Sequence, residues 1–324
     1  HLFYNPDFIA HFSSRGPVSP FYMKPDMVAP GAYINTTQIG SSYNFTSGTS
    51  FAAPHVSGAA ALLLEKNPEL ENHELKSLLV TTTQPVSNAY GNEFSIHESG
   101  SGRLDIASAY NAKLIINPTN FVINFSSDNK VIEKELKLKV IQNELGKIDV
   151  NFEGPEFIEF KHEINGNNLQ VKFIIVGEKY GKYEGKMYIN HEKIRYTIPI
   201  IIHFTEGSIS TYQENEKLFF EINHPDEWSF TKISITNSKN GNSETVTTTS
   251  EKTPSIEIYE NAEYWIEAKI MTNGSTTDAF DMVKVSSVSE KAEVLELRNI
   301  PEKQIIIIIS IIIIIGIIGL LIRK

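Results

Sequence analysis

Residues 48–58 read Gly48-Thr49-Ser50-Phe51-Ala52-Ala53-Pro54-His55-Val56-Ser57-Gly58 and run on through Ala59 to Leu64. Glycine reaches backbone angles closed to other residues. Gly48 is therefore expected to let the chain turn sharply and present Ser50 on the first turn of a helix, with Pro54 tolerated close to that start. A helix N-terminus exposes unpaired N–H groups and a partial positive charge, so the Ser50 N–H is placed to stabilise a developing oxyanion. Taken alone, Ser50 also fits an ordinary capping or helix-start serine. The strand-to-helix context of the whole motif favours a nucleophile. The helix is apolar nearly all round from Val56 to Leu64, which predicts the buried central helix of an α/β fold.

Three further blocks flank the motif: Phe12-Ser13-Ser14-Arg15-Gly16-Pro17, Lys24-Pro25-Asp26-Met27-Val28-Ala29-Pro30-Gly31 and Gly100-Ser101-Gly102-Arg103-Leu104-Asp105. In this order the four blocks resemble the subtilisin-like serine proteases, over about residues 1–112. The resemblance implies that Ser50 is the catalytic nucleophile and that its backbone N–H is one half of the oxyanion hole. It also puts Phe51 where many relatives have methionine, on the leaving-group side of the cleft and resistant to oxidation.

A serine hydroxyl needs a neighbouring base, normally a histidine oriented by a carboxylate. In this family the Asp, the His and the oxyanion-hole Asn precede the nucleophile by more than the 49 residues available before Ser50. All three are expected on a missing N-terminal protease segment, supplied in cis or in trans. The chain alone is then inactive. His55, five positions after Ser50, is structural by the same resemblance, and His11 is a packing or surface residue. His1, His73, His97, His162, His191, His203 and His224 lack metal-ligand spacing or an adjacent carboxylate motif. The chemistry requires no cofactor. Relatives can hold a structural cation near Asp26, yet calcium is not predicted, because one carboxylate falls short of six to eight oxygens. Asp26 can equally cap or pair at a strand end.

Period-two alternation takes over after the motif: Leu136, Leu138, Val140; Ile148, Val150, Phe152; Leu169, Val171, Phe173. With Asn165-Gly166 as a tight turn and Pro199 at an edge or bulge, residues 113–205 are expected to form an immunoglobulin- or fibronectin-like β-sandwich. A second block, residues 206–289, alternates through Phe220, Ile222, Ile233, Ile235, Ile256 and Ile258, with turns at Asn240-Gly241 and Asn273-Gly274. A second sandwich is expected there. Residues 290–304 read as a charged stalk, 305–322 as a transmembrane helix and 323–324 as a cytoplasmic tail. Eighteen apolar residues in helix span about 27 Å, close to a bilayer core of about 30 Å. The expected class is thus a partial parallel-sheet α/β domain, two all-β sandwiches and one membrane span.

That arrangement places the protease and β domains outside the cell, on a single-pass anchor touching the lipid bilayer. Asn35, Asn44, Asn124 and Asn273 match the glycosylation acceptor pattern. Cysteine is absent, which excludes disulfides and thiol chemistry. The net charge of -10, with no basic cluster, argues against nucleic acid; the resemblance implies polypeptide substrates. The leading function is a cell-surface serine endopeptidase. The alternative is a non-catalytic surface protein for adhesion or protein binding that retains a truncated protease half.

Overall fold

The computed structural model describes residues 8–141 and 145–286. Its first part carries a hairpin of β1 (Ile34–Gln38) and β2 (Ser42–Thr46), then α1 (Thr49–Lys66), α2 (Asn72–Thr81), α3 (Ile96–Ser99) and α4 (Ile106–Asn111). Glu71 starts α2 with a capping box, its side chain accepting the backbone N–H of Glu74 while the Glu74 carboxylate accepts the backbone N–H of Glu71 at 3.1 Å.

The first sandwich stacks two four-stranded sheets. One has the order β3 (Leu114–Asn117), β5 (Val131–Val140), β8 (Asn168–Ile175), β7 (Ile158–Asn165); the other has β4 (Phe121–Ser126), β10 (Ile194–Thr205), β9 (Gly181–His191), β6 (Ile148–Glu153). Alternate residues Leu136, Leu169, Val171 and Phe173 point inward and are buried against Ile123, Phe125, Ile198, Ile200 and Ile202. Asn165 and Gly166 turn β7 into β8, with Gly166 at φ +61. Pro199, expected at an edge or bulge, lies instead inside the internal strand β10, in register with Lys186 of β9 and just before the stretch from Ile200 to Thr205 that pairs parallel with β4.

The second sandwich joins the sheet β11 (Ser208–Glu214), β12 (Lys217–Asn223), β15 (Ser255–Glu257) to the sheet β14 (Ser243–Thr248), β13 (Trp228–Asn237), β16 (Glu263–Thr272), β17 (Thr276–Lys284). Its own core holds Leu218, Phe220, Ile233, Ile266 and Ile270.

The fold class expected from sequence needs correction. Among the described residues, seventeen strands stand against four helices, so the structure is mainly β. The parallel α/β sheet is not formed: residues 8–112 provide one antiparallel hairpin and isolated bridges such as Val28 with Arg103, and the parallel ladder that does occur, β4 with β10, belongs to a sandwich. A parallel sheet needs several strands joined by crossovers and covered on both faces, and this segment contributes no such set. Nor is α1 a buried central helix, since only Ala59 and Leu63 of its residues are buried. No described helix is long and apolar enough to cross a membrane. The longest, α1, contains His55, Glu65 and Lys66. The stretch 305–322, expected to span the bilayer, lies outside the described residues.

Excision at the expected boundary after Ala112 would cut one continuous core. Ala59, Leu63, Leu78 and Leu79 from the helices share it with Leu114, Ile116 and the strands of the first sandwich. At the join, the Tyr196 hydroxyl accepts the backbone N–H groups of Lys113 (3.1 Å) and Leu114 (3.0 Å). Tyr196→Phe removes that acceptor from fully buried surroundings. A loss of about 1–3 kcal/mol is expected, measured by urea denaturation against wild type; an unchanged midpoint would show that the two N–H groups find another acceptor.

Candidate active site

Ser50 is the second residue of α1, exposed at its N-terminus. The Phe51 N–H turns back to the Gly48 carbonyl at 3.0 Å, whereas the Ser50 N–H finds no acceptor among the described residues. A free N–H on the positive end of an 18-residue helix is the donor that an oxyanion needs. Pro54 lies one turn further on and lacks an N–H, so the Ser50 carbonyl receives no helical bond from it.

Gly48 does not act as expected. Its φ of 163° is extended backbone that any residue adopts, and a Cβ there would meet the Phe51 ring at an ordinary 3.5 Å. The close approach lies instead at Gly31, whose carbonyl accepts the Gly48 N–H at 2.8 Å. A Cβ on Gly31 would lie 2.9 Å from the Gly48 carbonyl oxygen and 3.2 Å from the Ala52 Cβ. The end of the Lys24–Gly31 block thus fixes the start of α1.

The block from Gly100 to Asp105 is pinned to the same segment. Val28 N–H donates to the Gly102 carbonyl (2.9 Å), Leu104 N–H to the Val28 carbonyl (2.8 Å), and Ser101 N–H to the Asp26 carbonyl (3.0 Å). Gly102 has φ +133, and a Cβ there would lie 2.3 Å from the Gln84 carbonyl oxygen; only glycine fits. Three motifs separated along the chain are therefore one hydrogen-bonded scaffold beneath α1.

His55 is committed to its own helix: its Nδ1–H donates to the Phe51 carbonyl at 2.8 Å. His11 is exposed against Phe12, and His73 pairs with Glu71 at 3.3 Å. No described histidine hydrogen-bonds Ser50. Asp26 binds Lys76 at 2.7 Å and also Lys24. Burial pushes its carboxyl upward, but the hydrogen bonds and charges of the two lysines outweigh this and hold it below the usual carboxylate range. Among the described residues no three His, Asp or Glu side chains are grouped to hold a metal ion.

Most of α1 is open, with Leu62 44% and Leu64 37% exposed on either side of the buried Leu63. Two aromatic side chains of the preceding hairpin, Tyr43 and Phe45, are likewise exposed. A groove along the inner side of the helix is lined by Ile9, Phe12, Ala29, Ala52 and Val56.

Against known protein families, the model described as the subtilase family matches residues 4–102. This segment is subtilase-like. Similar curated proteins include the subtilisin-like protease SBT1.6 of Arabidopsis thaliana, 38% identical over 135 residues, 35% of this chain and 18% of that protein. The minor extracellular protease Vpr of Bacillus subtilis is 26% identical over 198 residues, 58% of this chain and 24% of that protein. That match extends past the subtilase-like segment into the first sandwich. A PII-type proteinase of Lacticaseibacillus paracasei is 33% identical over 136 residues, 37% of this chain and 7% of that protein. The chain thus spans a quarter or less of the length of each of these relatives.

Proposed function

We propose that the subtilase-like segment is the nucleophile-bearing part of a serine endopeptidase that acts outside the cell. The observation that carries this reading is the exposed Ser50 at the mouth of α1 with its own N–H unpaired. In the reaction, a base takes the Oγ proton as Oγ bonds to the scissile carbonyl carbon. The oxygen of the tetrahedral adduct becomes negative, and the Ser50 N–H donates to it. The C–N bond then breaks, the leaving amine takes the proton from the base, and water releases the acyl group from Ser50.

The base, its orienting carboxylate and the second oxyanion donor come from polypeptide outside residues 1–324, in cis or in trans. The exposure of Leu62 and Leu64 on a helix whose buried residues are only Ala59 and Leu63 supports such a partner, since it leaves most of α1 uncovered. The extracellular protease of Bacillus subtilis that this chain resembles supports the extracellular setting. The test is fluorophosphonate labelling of the natural polypeptide that includes the sequence preceding His1. Labelling mapped to Ser50 and lost in Ser50→Ala is the expected result; an intact Asp, His and Asn set without labelling would leave the segment as a binding module.

A further inference from the structure

The long strand β10 is buried on both sides. One side, through Ile198, Ile200 and Ile202, faces the core of the first sandwich. On the other, Ile201 packs with Met23 and Ile96 of the subtilase-like segment, and His203 lies against Phe280 of β17, ring centroids 5.1 Å apart. The outer face of this sheet is therefore covered by two different parts of the chain. Those two parts also meet each other: Phe21 stacks on Trp265 at 5.8 Å and contacts Phe280 at 6.0 Å, and Tyr22 contacts Trp265 at 5.3 Å.

We propose that this three-way junction is an acid-released latch, in which His203 holds the subtilase-like segment and the second sandwich on the first sandwich only while its imidazole is neutral. His203 is 5% exposed. Its Nδ1–H donates to the Asn124 side-chain oxygen at 2.9 Å, so protonation adds a charge at Nε2 on the covered face. The groups facing it oppose that charge on balance. Lys182 of β9 is its cross-strand neighbour, and His97 of α3 approaches with a buried Nδ1 that has no hydrogen-bond partner among the described residues. Asp278 of β17 favours the charge, but it is shared between Lys269 (3.6 Å) and Lys182 (4.0 Å). Glu184, on the same sheet, is engaged by the Ile96 N–H at 2.8 Å.

The direction follows from burial first, then Lys182 and His97, which together push the His203 imidazole down to about 4. Opening the junction returns it to water, where a histidine titrates near 6.5. Above that pH neither state binds the proton and the latch is at full strength. Between about 6.5 and about 4 only the open state binds it, so closure weakens as pH falls. The opening constant should rise about 30-fold by pH 5 from this one group. Asn124 is drawn into the same contact, which makes it a poor acceptor for a glycan while the junction is closed.

The experiment is hydrogen exchange on the full chain at pH 7.5 and pH 5, corrected for intrinsic rates, following residues 17–23 and 276–284. Wild type is expected to lose protection in both stretches by about 30-fold at pH 5, while His203→Gln, which keeps a donor for Asn124 but cannot titrate, loses far less. Equal acid responses in the two proteins, or none in wild type, would overturn the latch. If the variant does not fold, the wild-type imidazole C2–H resonances decide. A His203 signal titrating near 6.5 rather than near 4 would overturn it equally.

Discussion

Residues 1–324 by themselves are expected to remain unlabelled at Ser50 by a fluorophosphonate probe and to leave peptide substrates intact. An unassisted serine hydroxyl holds its proton at neutral pH and attacks phosphorus or carbonyl centres poorly. The free N–H at the start of α1 stabilises an oxyanion only once one has begun to form. His55, the nearest imidazole in sequence, points its Nδ1–H at the Phe51 carbonyl and is held there by a 2.8 Å bond. Loss of the base in a serine triad costs about a millionfold in kcat, which takes turnover below ordinary detection. The check is mass spectrometry of the peptide containing residues 48–58 after exposure to the probe. Stoichiometric labelling of Ser50 in this chain would mean that a residue of the chain itself serves as base and that the site was misread.

Ser77→Ala is expected to destabilise the chain by about 2–4 kcal/mol, a large effect for the loss of one oxygen. The Ser77 hydroxyl is fully buried in α2 and makes both bonds to one residue of β3: it donates to the Ile116 carbonyl and accepts the Ile116 N–H, each at 2.8 Å. The pair behaves like one more rung of a sheet, joining a helix of the subtilase-like segment to the first sandwich. Alanine leaves a donor and an acceptor in a space that water does not enter, and each orphaned group costs about 1–3 kcal/mol. Ser57→Ala is the control, since its hydroxyl is exposed and only bonds back to Ala53; there the change should stay within about 0.5 kcal/mol. Urea denaturation of both variants, with exchange protection followed in α2 and β3, makes the comparison. Equal stabilities would show that the Ser77–Ile116 pair adds nothing to the joining of the segment and the sandwich.

Strand positions were legible because a half-buried strand writes its two faces as alternation. Leu169, Val171 and Phe173 fall inward in β8 as their spacing predicts. Less was legible at the ends of such runs. The stretch from Ile198 to Phe204 is apolar at nearly every position, and an unbroken run signals burial on both faces, but it does not say what covers the second face. The histidine in that run looked isolated beside its sequence neighbours. Its partners, Asn124, His97 and Phe280, come from three distant points of the chain. At the candidate site, a glycine before a helix suggested a special turn at Gly48, whereas the close contact falls on Gly31, 17 residues earlier.

The order of chemistry-bearing blocks, the helix that starts beside Ser50 and the shortage of a base near it were all set by residue identity and local backbone preference, which act over a turn or two of chain. Whether α1 is buried, how the Gly100–Asp105 block ties to Asp26 and Val28, and where His203 sits depend on segments many residues apart meeting in space. Composition carries no record of those meetings, because a side chain's solvent exposure is a property of its neighbours and not of the residue itself. Only the tertiary structure shows a mainly β chain whose protease-like segment shares one core with a sandwich, and it is this shared burial that turns an unremarkable histidine into the proposed latch.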